Sequence, residues 1–298
     1  KRQEIIDNPV GSAVGFALDI AGTLVVTTPG VPSELRAMLP AVCARVTDKL
    51  GGGELYRLRL QTFGMGESTA QALIDNDTTP WPGDVVLGFR AGMPQLEIKL
   101  TASADTPDVQ RCRQTLERLF GDHILGENDT TLAGAVQTVL RDQDKKLVTA
   151  ESCTGGLIAS MMTAEAGASS VFEAGFVTYA NTIKQSVLGV SEATLETEGA
   201  VSGAVVMQML RGALQRSHAD IGIAVSGIAG PGGGTDDKPV GTVWLAWGSA
   251  DDLHTWHTVL PTDRRMFQQL VAAAGLDLVR RHLLGLPRLP HYFSRRAI

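Results

Sequence analysis

Lys146-Leu147-Val148-Thr149-Ala150-Glu151-Ser152-Cys153-Thr154-Gly155-Gly156-Leu157 is the stretch on which the reading of this chain turns. Lys146 to Ala150 is apolar enough to be a strand, and Leu157 to Ala164 reads as a helix. A hydroxyl and a thiol therefore stand side by side where a strand hands over to a helix. The first turn of a helix carries backbone N–H groups without intrahelical partners and a partial positive charge, which suit an oxyanion or a phosphate. Gly155 and Gly156 allow a ligand to approach the backbone closely. The same run also suits a plain polar turn with a helix cap, so the segments around it have to decide.

Downstream, helix and strand patterns alternate. Val171 to Tyr179 is strand-like, Thr182 to Leu188 is a short helix, and Ser202 to His218 is a long amphipathic one. Ile221 to Val225 is a buried strand, Val240 to Trp247 and His254 to Leu260 form a hairpin, and Arg264 to Leu284 is the last helix. Upstream, a helix capped by Asp129 or Thr130 runs to Arg141. The economical architecture for residues 127–287 is a three-layer α/β/α sandwich.

Two smaller pieces precede it. Residues 51–126 follow the order β-α-β-β-α, a small α+β domain. Its Gly64-Met65-Gly66 is not the GxxG loop of a K-homology RNA binder. Residues 1–50 hold two strands (Val14 to Leu18, Thr23 to Thr27) and a helix from about Glu34, part of an α/β domain too small for a core of its own. Residues 288–298 form a tail.

Composition narrows the function classes. The chain has 298 residues, 44% hydrophobic and 19% charged, with a formal net charge of −6, so nothing in its overall charge favours nucleic acid. Arg280, Arg281, His282, Arg288, Arg295 and Arg296 gather near the C-terminus and read as a solvated helix end and tail. Cys43, Cys112 and Cys153 make neither a disulfide framework nor a metal spacing, which points to a reducing, cytoplasmic home. No apolar run approaches the roughly 20 residues of a membrane span, and no signal peptide is visible. The histidines show no HExxH or His-x-His pattern, so no metal site is expected.

Four features fall at strand ends, where open α/β sheets place their sites. These are the Ser152-Cys153-Thr154 turn, Tyr179-Ala180-Asn181-Thr182-Ile183-Lys184, the run Ser226 to Gly234, and Lys238 to Thr242. A serine hydroxyl needs a base to be nucleophilic, and a lysine whose pKa is lowered by burial can be one. Ser152 with Lys184, relayed or oriented by Tyr179, is then a hydrolytic constellation. Taken singly, Lys184 also suits a solvated helix lysine and Tyr179 a strand-end aromatic. Cys153 is a rival nucleophile or a small packing residue. Asn181 can cap the helix after Tyr179. The glycine run lacks a Walker ending but can form a nest of N–H groups for a phosphate, or a floppy loop.

Together these segments resemble the C-terminal domain of the competence/damage-inducible CinA family. The matching pieces are AESCTGG (150–156), TYAN (178–181), IKQSVLGV (183–190), EGAVSG (198–203), VSGIAGPGGGT (225–235) and KPVGTVWLA (238–246). NPVGSAVGF (8–16) and TPGVPSELRAM (28–38) resemble the end of the family's molybdopterin-binding-like domain, and 52–125 its connecting domain.

The resemblance implies a nicotinamide-nucleotide amidase, converting nicotinamide mononucleotide (NMN) and water to nicotinic acid mononucleotide and ammonia in pyridine-nucleotide recycling. It makes Ser152 the nucleophile, Lys184 and Tyr179 its activators, Ser226 an active-site hydroxyl, and Arg264, with Arg265 beside it as the alternative, a ligand contact. On this reading backbone N–H groups at Thr154, Gly155 and Gly156 hold the oxyanion, Asn181 lines the substrate site, and Gly230, Gly232 and Gly233 receive the 5′-phosphate. The amidase needs no cofactor or metal. Its expected partner is the small-molecule substrate, with no nucleic acid or membrane, in a homodimer or higher oligomer. The family's complete first domain carries a divalent-metal-dependent ADP-ribose pyrophosphatase, and here that domain is represented by its tail. A bifunctional enzyme and a non-catalytic nucleotide-binding regulator are the competing readings.

Overall fold

A computed structural model describes residues 3–52 and 55–290, and the chain divides into two compact units, 1–56 and 57–298. In the first unit, β1 (Gln3–Ile6), β2 (Gly15–Ile20) and β3 (Thr23–Thr27) form an antiparallel three-stranded sheet. Helix α1 (Pro32–Leu50) begins with a proline at its amino end, where the missing N–H is not needed. Ile6, Ala17 and Met38 make its small core. The strand β1 had no periodic signal, because four residues are too few to show one.

The second unit holds two sheets. β4 (Tyr56–Phe63), α2 (Glu67–Asp75), β5 (Val86–Gly92), β6 (Gln95–Ala102), α3 (Pro107–Phe120) and β7 (Ile124–Glu127) build the smaller, with strand order β5-β6-β4-β7. The boundary expected at 126/127 falls inside β7, ahead of α4 (Leu132–Asp142) and within one compact unit. There Leu132 N–H donates to the Gln95 side chain, and Gln95 Nε2 donates to Thr130 O. The α4 cap is Thr131, whose hydroxyl accepts from Gly134 N, rather than Asp129 or Thr130.

The larger sheet follows: β8 (Leu147–Glu151), α5 (Leu157–Thr163), β9 (Phe172–Val177), α6 (Asn181–Leu188), α7 (Glu192–Glu198), α8 (Gly203–Ser217), β10 (Ile221–Gly227), β11 (Thr242–Ser249), β12 (Asp252–Val259) and α9 (Arg264–Leu283). Its order is β12-β11-β10-β8-β9, with β10, β8 and β9 parallel and the β11–β12 hairpin antiparallel. Successive strand residues point to opposite faces. Accordingly Ile221, Ile223 and Val225 pack with residues of α4, α5 and α9, while Ala224, Val148 and Ala150 pack with residues of α6, α7 and α8. Helices thus cover both faces.

Leaving β8, the chain goes through α5 to β9 on one side. Leaving β10, it goes to β11 on the other. The carboxyl ends of β8 and β10 therefore flank a topological switch point, the crevice where such sheets bind ligands.

One expectation about the last helix is corrected. Arg280 and Arg281 are buried, not solvated: both bind the buried Asp277 carboxylate, and they reach Asp122 through its carbonyl and its carboxylate respectively. The i, i+3 and i, i+4 spacing to Asp277 puts all three on one helix face, where the pairs offset the cost of burying charge. Arg295 and Arg296 lie outside the described residues. Among the described residues no helix is long and apolar enough to cross a membrane.

Candidate active site

Ser152 follows the last residue of β8, and its N–H donates to Val225 O, which keeps it in line with β10. The turn it opens is held from beneath by Glu151. That carboxylate is fully buried: Oε2 accepts from the N–H groups of Gly156 and Ile158, and Oε1 from that of Ala159. A negative charge inside the first turn of α5 satisfies its orphan donors and complements its dipole. Gly155 and Gly156 sit at φ +64° and +96°, the left-handed region that costs a residue with a Cβ most.

This arrangement changes the roles expected of those glycines. Gly156 N–H is taken by Glu151, and Gly155 N–H donates to Ser152 O. Neither amide is open to an oxyanion. Thr154 is buried, and its hydroxyl has no hydrogen-bond partner among the described residues.

Lys184 reaches Ser152 from α6. Its side chain is buried, with Nζ 3.1 Å from Ser152 Oγ, 2.8 Å from Thr178 O and 2.9 Å from Tyr179 O. Burial without a facing carboxylate disfavours the ammonium, so its pKa is lowered from the usual lysine range. Cys153, beside the nucleophile candidate, goes the opposite way: burial pushes its thiol up to about 12, which leaves it protonated and unreactive at neutral pH.

Tyr179 is 61% exposed, and its hydroxyl lies 3.2 Å from Arg264 Nη2, not against Lys184 or Ser152. What Tyr179 gives Lys184 is its main-chain carbonyl. Arg264 Nη1 also donates to Gly230 O, which anchors the start of the glycine loop. The neighbouring Arg265, second residue of α9, donates its N–H to the Asp263 cap and does not line the site. Ser226, on β10, is buried and donates to Ala200 O at 2.7 Å. Asn181 is not the α6 cap: the helix starts at Asn181 itself after Ala180, and no side chain caps it.

These groups line a single cavity of about 200 Å³, walled by Ser152, Cys153, Tyr179, Asn181, Lys184 and Ser226, with Arg264 at its edge. Thr154, Gly155, Gly156, Gly232 and Gly233 do not line it, and Gly230 reaches it only through its bond to Arg264. Ala200, Val201, Gly227 and Ala229 complete the wall and were not foreseen as site residues. They carry no functional group, so the only signal was that each sits in, or one residue beyond, a segment already notable for other residues.

Comparison with known proteins follows the same outline. Residues 129–283 match the CinA C-terminal domain family. The whole chain aligns with a CinA-like protein of Colwellia psychrerythraea at 45% identity over 307 residues, 70% of that protein. A CinA-like protein of Salinibacter ruber is 37% identical over 286 residues, covering 94% of this chain and 69% of the relative. Among solved structures, a competence-damaged protein (CinA) superfamily protein from Klebsiella pneumoniae has a TM-score of 0.50 at 36% identity, covering 52% of this chain and 96% of that one. A competence or damage-inducible protein from Enterobacter asburiae gives 0.50 at 32% identity, with 52% and 99% covered. With a serine, a buried lysine and an arginine converging on one crevice, and relatives matching along its full length, the chain belongs to the CinA family.

Proposed function

We propose that this protein is a nicotinamide-nucleotide amidase that hydrolyses NMN to nicotinic acid mononucleotide and ammonia, in pyridine-nucleotide recycling. The observation that carries the reading is the hydrogen-bonding of Lys184 Nζ. A neutral amine has two N–H donors and one lone pair. The carbonyls of Thr178 and Tyr179 accept the two donors, which directs the lone pair at Ser152 Oγ–H, 3.1 Å away.

The chemistry follows from that geometry. Lys184 takes the proton of Ser152 as Oγ bonds to the carboxamide carbon. With the Gly155 and Gly156 amides engaged and Thr154 outside the cavity wall, the N–H group of Cys153 is assigned to the developing oxyanion. The C–N bond then breaks and the Lys184 proton leaves with ammonia. Water attacks the ester carbon with Lys184 again as base, the bond to Oγ breaks, and Lys184 returns the proton to Ser152 as the acid leaves. Ser226 and Asn181 orient the carboxamide ring. Arg264, braced by Tyr179 and Gly230 O, meets the phosphate end, with the glycine loop beside it. No step calls for a cofactor. Three unpaired cysteines support a reducing, cytoplasmic setting, and a homo-oligomer is part of the same proposal.

The test is ammonia release from NMN by the purified protein, with Ser152→Ala and Cys153→Ala alongside. Ser152→Ala should be inactive and Cys153→Ala active. Turnover that survives in Ser152→Ala and disappears in Cys153→Ala would overturn the assignment, and no release by the parent would overturn the function.

A further inference from the structure

A second group of chemistry-bearing side chains lies at the other end of the large sheet. Ser152 and Ser226 mark the carboxyl ends of β8 and β10. The register Gly222↔Gly248 and Ser249↔Asp252 places the start of β12, across β11, level with the amino end of β10. There Asp252 and His254, two residues apart and so on one face of β12, meet His282 from the last turn of α9.

The geometry is that of a half-built coordination sphere. His254 Nε2 lies 3.1 Å from Asp252 Oδ1 and His282 Nδ1 4.0 Å from Asp252 Oδ2, and one ligand atom from each residue falls within 4.8 Å of the others. A tetrahedral zinc ion at about 2.0–2.2 Å from N and O donors spaces its ligands about 3.4 Å apart. Closing the site therefore needs movements of about an ångström. Asp252, its side chain 56% exposed, can make them, whereas both histidines are mostly enclosed. His254 is held on the Trp247 ring, with centroids 5.5 Å apart, and lies 5.6 Å from the His282 ring. Lys145 and Arg288 are the cations near His282 and set the electrostatic cost of adding another.

We propose that Asp252, His254 and His282 form a binding site for a zinc-class divalent cation, clamping β12 to the carboxyl end of α9. Two imidazoles and one carboxylate suit zinc and its neighbours better than calcium or magnesium, which prefer all-oxygen sets. With three protein ligands the remaining coordination is left to water. The site is remote from Ser152 and does not rest on the amidase reading.

The experiment is Zn²⁺ titration of the untagged, chelator-washed chain by calorimetry, in a Cys43→Ser background that removes the exposed thiol, with Co²⁺ absorption as a second readout. One Zn²⁺ per chain is expected, with a rise in melting temperature. Asp252→Asn and His282→Asn should each weaken binding more than about tenfold. His218→Asn, at an unrelated histidine, should leave binding unchanged, and ammonia release should be the same in all three. Binding that is absent, or equal in Asp252→Asn and the parent, would overturn the site. Asp252→Asn decides the matter even if His282→Asn fails to fold.

Discussion

Glu151→Gln isolates what the buried carboxylate does for the nucleophile turn. The substitution keeps shape and removes the charge and one acceptor. Placed with its oxygen toward Gly156 and Ile158, the amide keeps those two bonds, at 3.1 and 3.0 Å in the parent. Its NH₂ then faces Ala159 N–H, whose 2.8 Å bond to Oε1 is lost, and can donate instead to Thr149 Oγ1. A hydrogen bond to a charged group contributes about 1.5–3 kcal/mol, and an anion at a helix amino end about 0.3–1 kcal/mol more. The loss is thus about 2–4 kcal/mol. At about 2–4 °C per kcal/mol for a unit of this size, melting should drop by roughly 4–16 °C. Thermal unfolding followed by circular dichroism at pH 7.5 measures it. The opposing effect is the cost of burying a carboxylate, which the variant removes. A melting point within 2 °C of the parent would mean that this cost cancels the lost Ala159 bond and the charge at the helix end, and the argument for Glu151 as the turn's anchor would fail.

Two further outcomes follow from Lys184 and from the helix that carries it. Its pKa is lowered by burial, so kcat/KM for ammonia release should rise with pH along a single-proton limb and level off below the ordinary lysine value of 10.5. In stability the sign is the same: between the lowered folded pKa and the unfolded one the unfolded chain binds more protons, so stability rises with pH through that window. Lys184→Met should compare better with the parent at pH 7 than at pH 10 in melting temperature. Gly212 lies where α8 crosses the end of α6, and a Cβ there would stand 1.9 Å from Leu188 O. Gly212→Ala should cost at least about 1–3 kcal/mol in denaturant unfolding and lower turnover by shifting Lys184. An alanine variant as stable and active as the parent would contradict that packing.

The parts of the site legible in the sequence are those whose chemistry needs a particular side chain at a strand end. Ser152 and Lys184 are legible that way, whereas Ser226 and Arg264 enter only through the family resemblance; the structure brings all four to one cavity. Orientation was not legible. Nothing in the run Tyr179 to Lys184 tells that the tyrosine carbonyl, rather than its hydroxyl, faces the amine. Nor does Glu151 look like the anchor of the turn until its carboxylate is seen folded beneath α5. The glycines at 155 and 156 were read as an open cradle, and the backbone closes it by using their amides internally. Arg280 and Arg281 look like a solvated end because one of their two partners, Asp122 in the turn between α3 and β7, is 158 and 159 residues away. Short strands such as β1 and β7 escape because they span four residues, less than the strand periodicity needs to declare itself.

The claim on which the account rests is that Lys184 acts on Ser152 directly. Steady-state ammonia release from NMN by Lys184→Met and Tyr179→Phe tests it. Lys184→Met should lower kcat by about 10²–10⁴-fold, as loss of a general base does. Tyr179→Phe should raise KM, because it loosens Arg264, while kcat stays within about tenfold of the parent. A kcat in Tyr179→Phe as low as that of Lys184→Met would put the tyrosine hydroxyl in the proton path and contradict the mechanism.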